Sequence, residues 1–300
     1  MRVFLTGASG FVGSAVVKEL IAAGHTVRGL VRSDAAAATL TATGAEVVRG
    51  SLDDTETLKR EAAAADSVVH TAFNHDFSRL AESLEQDRRA IEVIGAALEG
   101  SDGSLLATSV IAFLATGRVA IESDIPPPAS AGYLRASEAA VSAVATRGVR
   151  ASVVRLPPAV HGDGDRGGLL PMLIGLAREK GASAYVGKGL NRWSAVHRID
   201  AARLFRLAIE DGCASPHYHA VGEEGVAFYA IAEAIGRRLD VPVIGMTEEE
   251  SAVHFGGLAL FAGMDVPSSS ERTRSSLAWK PEQRDLLADL DRSAYFANDR

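Results

Sequence analysis

The chain predicts an α/β fold: a doubly wound parallel sheet followed by a smaller C-terminal lobe. Three observations carry this. Through residue 156, short Val/Leu-rich runs alternate with helical stretches, and the runs are apolar almost without interruption, as strands buried on both faces are. Three glycines, Gly7, Gly10 and Gly13, stand directly after the first run and open the first helix. Beyond residue 157 the alternation loosens into a Gly/Pro-rich loop and a less regular second half.

Taken in order, residues 2–7 (RVFLTG), 25–32 (HTVRGLVR), 45–50 (AEVVRG), 67–73 (SVVHTAF), 103–110 (GSLLATSV) and 149–156 (VRASVVRL) read as strands. Between them the 3.6-residue pattern predicts helices near 11–23, 34–43, 54–64, 79–99 and 131–147. On 79–99, Leu80, Leu84, Ile91, Ile94 and Leu98 make one apolar stripe, which packing within the fold explains. The run PPAVHGDGDRGGLLP (157–171) breaks the alternation. A helix near 169–180, a strand at 193–197, a helix at 201–211 with Asp200 as its N-cap, a strand at 217–222 and a helix at 227–239 follow. The tail holds short helices and the Ser-rich run 267–276. The division this implies is 1–156 for the sheet domain and 157–300 for a lobe, some of whose segments return to the sheet.

Composition narrows the function. Hydrophobic residues at 47 % and charged residues at 23 % are those of an ordinary globular protein. A net charge of −7 gives no reason to expect nucleic acid or an anionic membrane. It also repels anionic ligands at long range, so a phosphate site must be built locally. One cysteine, Cys213, excludes an intrachain disulfide and a cysteine-rich metal site. His217 and His219 flank Tyr218, but two histidines without further ligands make no metal site, and none is expected. The N-terminus lacks a signal-peptide pattern and no apolar run approaches a membrane span, so a cytoplasmic location is expected.

The glycine loop has a physical reading. Gly7 permits a sharp turn, Gly10 lets the backbone approach a pyrophosphate, and Gly13 lets helix and strand pack closely. The helix N-terminus then offers unpaired N–H groups to the pyrophosphate, so Ser9, Phe11 and Val12 join the loop as cofactor-binding residues. A carboxylate at the end of the second strand would hold the ribose hydroxyls of NAD; here Val31, Arg32 and Ser33 stand in its place. A guanidinium forks onto a phosphate, so Arg32, assisted by Ser33, argues for NADP(H).

G-x-x-G-x-x-G at the N-terminus resembles the short-chain dehydrogenase/reductase superfamily, in its extended or atypical branch with a Rossmann-type sheet and a C-terminal substrate-binding lobe. The resemblance covers nearly the whole chain. HTVRGLVRSD and VVHTAFNHDF are similar to the second and fourth strands of dihydroflavonol-reductase-like members, and SERTRSSLAWKP to the closing motif of extended members, with Ala278 where glycine is usual. It implies that Ser51 and Leu52 lie against the adenine, Ser51 where an aspartate is usual, and that Thr71, Ala72 and Phe73 line the ribose and phosphates. His70 reads as a strand-end histidine satisfied within the fold.

The same resemblance implies a catalytic set of serine or threonine, tyrosine, and a lysine four residues after the tyrosine. Ser109 takes the place of the orienting hydroxyl, with Thr108 as the fallback, and Tyr133 that of the proton donor. The lysine position holds Ser137. A serine carries no charge to stabilise a tyrosinate. Three readings stay open: Tyr133 acts with water or a distant cation, His161 or Arg155 supplies the proton, or the site binds NADP(H) as a redox sensor without turnover. Asn191, Arg192 and Trp193 are placed to close over a substrate, and His197 reads as structural. The expected activity is an NADP(H)-dependent oxidoreductase acting on a carbonyl or alcohol of a small organic substrate, with a sugar-nucleotide epimerase or dehydratase as the enzymatic alternative. The resemblance also suggests a homodimer.

Overall fold

The computed structural model describes residues 1–74, 79–115, 117–127 and 136–296. The first half alternates as the pattern requires: β1 (Arg2–Thr6), α1 (Phe11–Ala22), β2 (Thr26–Val31), α2 (Asp34–Thr41), β3 (Glu46–Arg49), α3 (Thr55–Ala63), β4 (Ser67–His70), α4 (Leu80–Leu98), β5 (Ser104–Val110), α5 (Ser137–Thr146) and β6 (Arg150–Leu156). Tyr133 and the start of the helix expected over 131–147 lie outside the described residues.

The second half contributes β7 (Ala159–His161), α6 (Leu169–Lys180), β8 (Ser183–Val186), β9 (Arg192–His197), α7 (Arg198–Glu210), β10 (His217–His219), β11 (Glu223–Ala227), α8 (Phe228–Leu239), β12 (Val243–Met246), α9 (Glu248–Phe255), α10 (Ala259–Gly263), α11 (Glu271–Leu277) and α12 (Leu286–Leu290). β8 pairs with β12, and β11, β9 and β7 form a three-stranded sheet. Of these five strands only β9 was expected from its alternation; the other four are three to five residues long, too short for a period to declare itself.

The main sheet runs β10-β6-β5-β4-β1-β2-β3, with every neighbouring pair parallel. Successive strand residues face opposite sides. Val3, Leu5, Leu106 and Val154 pack against α1 and α7, while Phe4, Leu105, Ala107 and Val153 pack against α3, α4 and α5. The chain crosses from one side to the other between β1 and β4, which leaves a crevice at the carboxyl ends of the strands. A third core, built around Trp193, Phe228, Ile174 and Leu286, holds the lobe together. Among the described residues no helix is long and apolar enough to cross a membrane.

Two details differ from the sequence reading. α7 starts at Arg198, and its N-cap is His197, whose Nδ1 accepts from the Ile199 N–H at 3.2 Å. Asp200, inside the first turn, accepts instead from the N–H groups of Glu282 (2.9 Å) and Gln283 (3.0 Å), and so ties down the tail. Ala278 ends α11 at φ 49°, a left-handed position where glycine would carry no penalty.

Candidate active site

The glycine loop lies in the crevice. Gly7 turns the chain out of β1 at φ 76°, and the Gly10 N–H closes the turn on the Gly7 carbonyl at 2.9 Å. A Cβ on Gly13 would lie 2.1 Å from the Gly7 oxygen, and one on Gly7 would lie 2.7 Å from the Ala72 nitrogen. Those two glycines are required by packing. Gly10 is different: its Cβ would meet only the Gly7 oxygen, at 3.1 Å, and would otherwise fill open space in front of α1. Gly10 caps α1 without any side-chain acceptor, so the leading N–H groups of the helix face that space. Ser9 is exposed there, and Phe11 and Val12 are half-buried. These features fit the pyrophosphate of a dinucleotide.

Thr71 sits behind the loop: its hydroxyl donates to the Thr6 carbonyl at 2.8 Å. Ala72 and Phe73 follow, half-buried at the rim. At the end of β2, Arg32 is exposed and forms no ion pair with the other described residues. Ser33 caps α2 by accepting from the Ala36 N–H at 3.2 Å, which leaves its own O–H free to donate. The Asp34 carboxylate is engaged by Arg49. Ser51 accepts from the Asp53 N–H at 3.2 Å and so holds the turn after β3, while Leu52 packs toward the α3–α4 core.

Ser109 lies one strand away from Arg155, its register partner on β6. Its side chain shares a sheet face with Ala107, toward α4 and α5, and Thr108 points to the other face. The Ser109 hydroxyl is fully buried and has no hydrogen-bond partner among the described residues. A buried hydroxyl without a partner is costly to the fold, and a substrate oxygen is one group that would satisfy it.

Ser137, at the position that the resemblance gives to lysine, joins a buried polar chain. Ser137 Oγ donates to Asp87 Oδ2 at 2.5 Å, the other carboxylate oxygen lies 3.2 Å from His70 Nε2, and His70 Nδ1 lies 2.7 Å from Thr6 Oγ1. All four side chains are buried, linking α5, α4, β4 and β1. His70 is therefore satisfied within the fold, as its place at a strand end suggested. Asp87 was not singled out in the sequence; its only signal is a carboxylate on the side of α4 that carries the apolar stripe.

Arg155 does not face a substrate. Its fully buried guanidinium donates to both Glu138 oxygens (3.0 and 2.7 Å) and to the carbonyls of Glu122 (3.2 Å) and Asp124 (2.8 Å). A fifth contact reaches His219 Nε2 at 3.2 Å. Burial holds the His219 pKa down at about 4, so its ring is neutral: Nδ1–H donates to the Ser269 carbonyl and Nε2 accepts from Arg155. Glu122 in turn accepts from the N–H and hydroxyl of Thr273. The network locks the first turn of α5, β6, β10 and α11 together.

His161 is likewise buried, with Nδ1 against Asp289 at 2.8 Å and Nε2 3.8 Å from Glu223, whose pKa burial raises. It anchors α12 to β7. The residues expected to close over a substrate are structural as well. Trp193 is in the lobe core and donates to the Phe261 carbonyl, Arg192 pairs with Asp265, and the Asn191 amide bonds the carbonyls of Ala262 and Met264. Apolar flanks gave Trp193 and His161 their place inside; only tertiary packing reveals the partners. Cys213 is buried, and burial pushes its thiol up to about 11, which removes it as a nucleophile.

Comparison with known proteins agrees with this geometry. The model of the NAD dependent epimerase/dehydratase family matches residues 3–222. An uncharacterized protein of Schizosaccharomyces pombe is 49 % identical over 298 residues, covering 99 % of this chain and all of its own. The decarboxylating sterol-4-alpha-carboxylate 3-dehydrogenase of Dictyostelium discoideum is 30 % identical over 246 residues, 76 % of this chain and 73 % of that protein. Among solved structures, the dTDP-glucose 4,6-dehydratase DesIV of Streptomyces venezuelae, with NAD and TYD bound, superposes with a TM-score of 0.80. That match covers 100 % of this chain and 98 % of the other, at 20 % identity, and so speaks for the fold. The chain belongs to the NAD dependent epimerase/dehydratase family.

Proposed function

We propose that this protein is an NADP(H)-dependent oxidoreductase that reduces a carbonyl, or oxidises an alcohol, of a small organic substrate. The observation that carries the reading is the buried Ser109 hydroxyl, without a partner among the described residues, at the carboxyl end of β5 in a sheet whose first strand runs into a glycine loop that fits a pyrophosphate. Two relatives support the oxidoreductase class: the Dictyostelium dehydrogenase, and a ketoreductase of Stigmatella aurantiaca acting on a farnesylated dihydroquinoline oxide, 29 % identical over 269 residues.

In this reading Gly7, Ser9, Gly10, Phe11, Val12 and Gly13 hold the pyrophosphate. Arg32 and Ser33 hold the 2′-phosphate of NADP(H), and Ser51, Leu52, Thr71, Ala72 and Phe73 enclose the adenosine and ribose side. The bound nicotinamide supplies or accepts the hydride. Ser109 orients the substrate oxygen by donating a hydrogen bond to it, and Tyr133 gives or takes the proton there. Residues 1–156 hold the cofactor and 157–300 mainly the substrate, except that α7 and β10 return to the sheet. A cytoplasmic location and a homodimer belong to the same proposal.

One observation favours a second reading, a redox sensor that binds NADP(H) without turnover. Ser137 is committed to Asp87 and the Arg155 charge is neutralised by Glu138, so neither supplies the cation that the family's lysine brings to the tyrosine. NADPH consumption by the purified protein against a panel of ketones and aldehydes separates the two. Turnover supports the reductase; tight NADPH binding with no consumption across the panel supports the sensor.

A further inference from the structure

α1 and α7 lie side by side and run parallel. Arg198 at the start of α7 meets Ser14 in the opening turns of α1, Arg206 pairs with Glu19 at 2.7 Å further along, and His25, past the end of α1, meets Glu210 at 2.9 Å. Both helices therefore point their N-termini, the positive ends of their dipoles, at the same place. That place is the mouth of the glycine loop, and it contains a cation.

Arg198 is the first residue of α7, and its guanidinium lies 4.5 Å from the centre of the Phe11 ring, the first residue of α1. Its nitrogens donate to Ser14 Oγ (2.8 Å) and to the Asp163 carbonyl (2.7 Å). Both acceptors are neutral. The carboxylates of the adjoining loop are near but out of ion-pair reach: Asp165 takes the N–H of Gly168 on Oδ1 at 2.9 Å and leaves its buried Oδ2 without a hydrogen bond among the described residues, and Asp163 lies 3.5 Å from Arg292. No carboxylate forms an ion pair with Arg198 among the described residues. Burial has lowered the pKa of this guanidinium, against the opposing pull of Asp165 and Asp163 nearby, so loss of water outweighs the attraction those carboxylates supply.

A half-buried cation at the positive ends of two helices is an unfavourable arrangement in the ligand-free protein. It becomes favourable when an anion enters, because the dipoles and the guanidinium then act together. The chain's net charge of −7 makes such a local device necessary for an anionic cofactor. We propose that Arg198 is a ligand of the cofactor's pyrophosphate, delivered to the glycine loop from the start of α7. The inference rests on the dinucleotide reading above. Because the guanidinium also holds the Asp163 carbonyl, it couples cofactor binding to the loop that follows β7.

The test is calorimetric titration of the full chain with NADP⁺ and, separately, with inorganic pyrophosphate, joined to melting curves without ligand. Arg198→Met keeps the apolar stem over Phe11 and removes the charge. We expect its NADP⁺ Kd to rise about 10- to 100-fold and its pyrophosphate binding to vanish. Its ligand-free melting temperature should match or exceed that of the wild type. Arg198→Lys, which keeps the charge and loses the fork, should fall between the two. NADP⁺ binding by Arg198→Met as tight as by the wild type, or a ligand-free Arg198→Met that melts well below it, would overturn the assignment while the cofactor reading stands. Wild-type protein that binds pyrophosphate through Arg198 but no dinucleotide would keep the anion site and remove the cofactor reading. Binding of neither would remove both.

Discussion

Ser137 donates a hydrogen bond of 2.5 Å to Asp87 across the contact between α5 and α4, with both side chains out of water. Ser137 is the residue that the resemblance sets at the lysine position, and its hydroxyl is turned inward. Serine here anchors a buried carboxylate, and Asp87 in turn holds His70 beneath the crevice.

Ser137→Ala should therefore act on stability rather than on the cofactor. Removing a donor from a buried carboxylate costs about 1–3 kcal/mol. Urea unfolding should show that loss as a lower midpoint at an unchanged slope, while NADP(H) affinity stays close to wild type. A large rise in the NADP(H) Kd with stability intact would mean that Ser137 serves the ligand after all.

Ala278 closes α11 at φ 49° and is exposed, so its methyl group is strained without packing on anything. Ala278→Gly should stabilise the protein by about 0.5–1 kcal/mol, the relief of the left-handed strain exceeding the entropy that glycine gains in the unfolded chain. A melting temperature that rises by a few degrees checks it; a fall would show that the methyl group is needed.

His219 is neutral in the fold, with its pKa held at about 4 against 6.5 in the unfolded chain. The unfolded state therefore takes up more protons between those values, and stability falls as pH drops through that window. Protonating Nε2 would also set an imidazolium against the Arg155 guanidinium that it now accepts from. His197 and His217, whose pKa values burial also lowers, add slope of the same sign. In His219→Gln the amide can replace both hydrogen bonds but does not titrate, so unfolding midpoints between pH 6.5 and 4 should decline less steeply than in the wild type. An unchanged slope would contradict the assignment.

Arg32 is exposed at the end of β2, with its neighbour Asp34 engaged by Arg49. Arg32→Ala should raise the NADP⁺ Kd by about 10- to 100-fold, and leave NAD⁺ within about threefold, because only the former carries the 2′-phosphate. Equal losses for both would make Arg32 a structural residue and leave the cofactor choice to another group.

The sheet was legible because burial on both faces writes continuous apolar runs, and the loop was legible because Gly7 and Gly13 are places where a Cβ would collide with backbone. The lobe was read less well. Strands as short as β7 and β8 carry no period, and polar residues gave no sign of their partners: Arg155 looked like a substrate contact and is a brace to Glu138, while His161 is tied through Nδ1 to Asp289 and keeps a buried Nε2 without a hydrogen bond among the described residues. Asp200 looked like a cap because aspartate before a helix usually is one, and the cap proved to be His197. Asp87 and Arg198 were passed over for one reason. A charge inside an apolar stripe or at a helix start has meaning only once the groups across the interface are known.

The central claim is tested most directly by comparing NADPH consumption by the wild type and Ser109→Ala with the same carbonyl substrates. The hydroxyl is buried and partnerless among the described residues, so its removal should leave the ligand-free protein at least as stable and NADPH affinity unchanged. Turnover should fall about 100-fold or more, since a hydrogen bond to the reacting oxygen is lost. Full turnover in Ser109→Ala, or bound NADPH that no carbonyl oxidises in the wild type, would contradict the account.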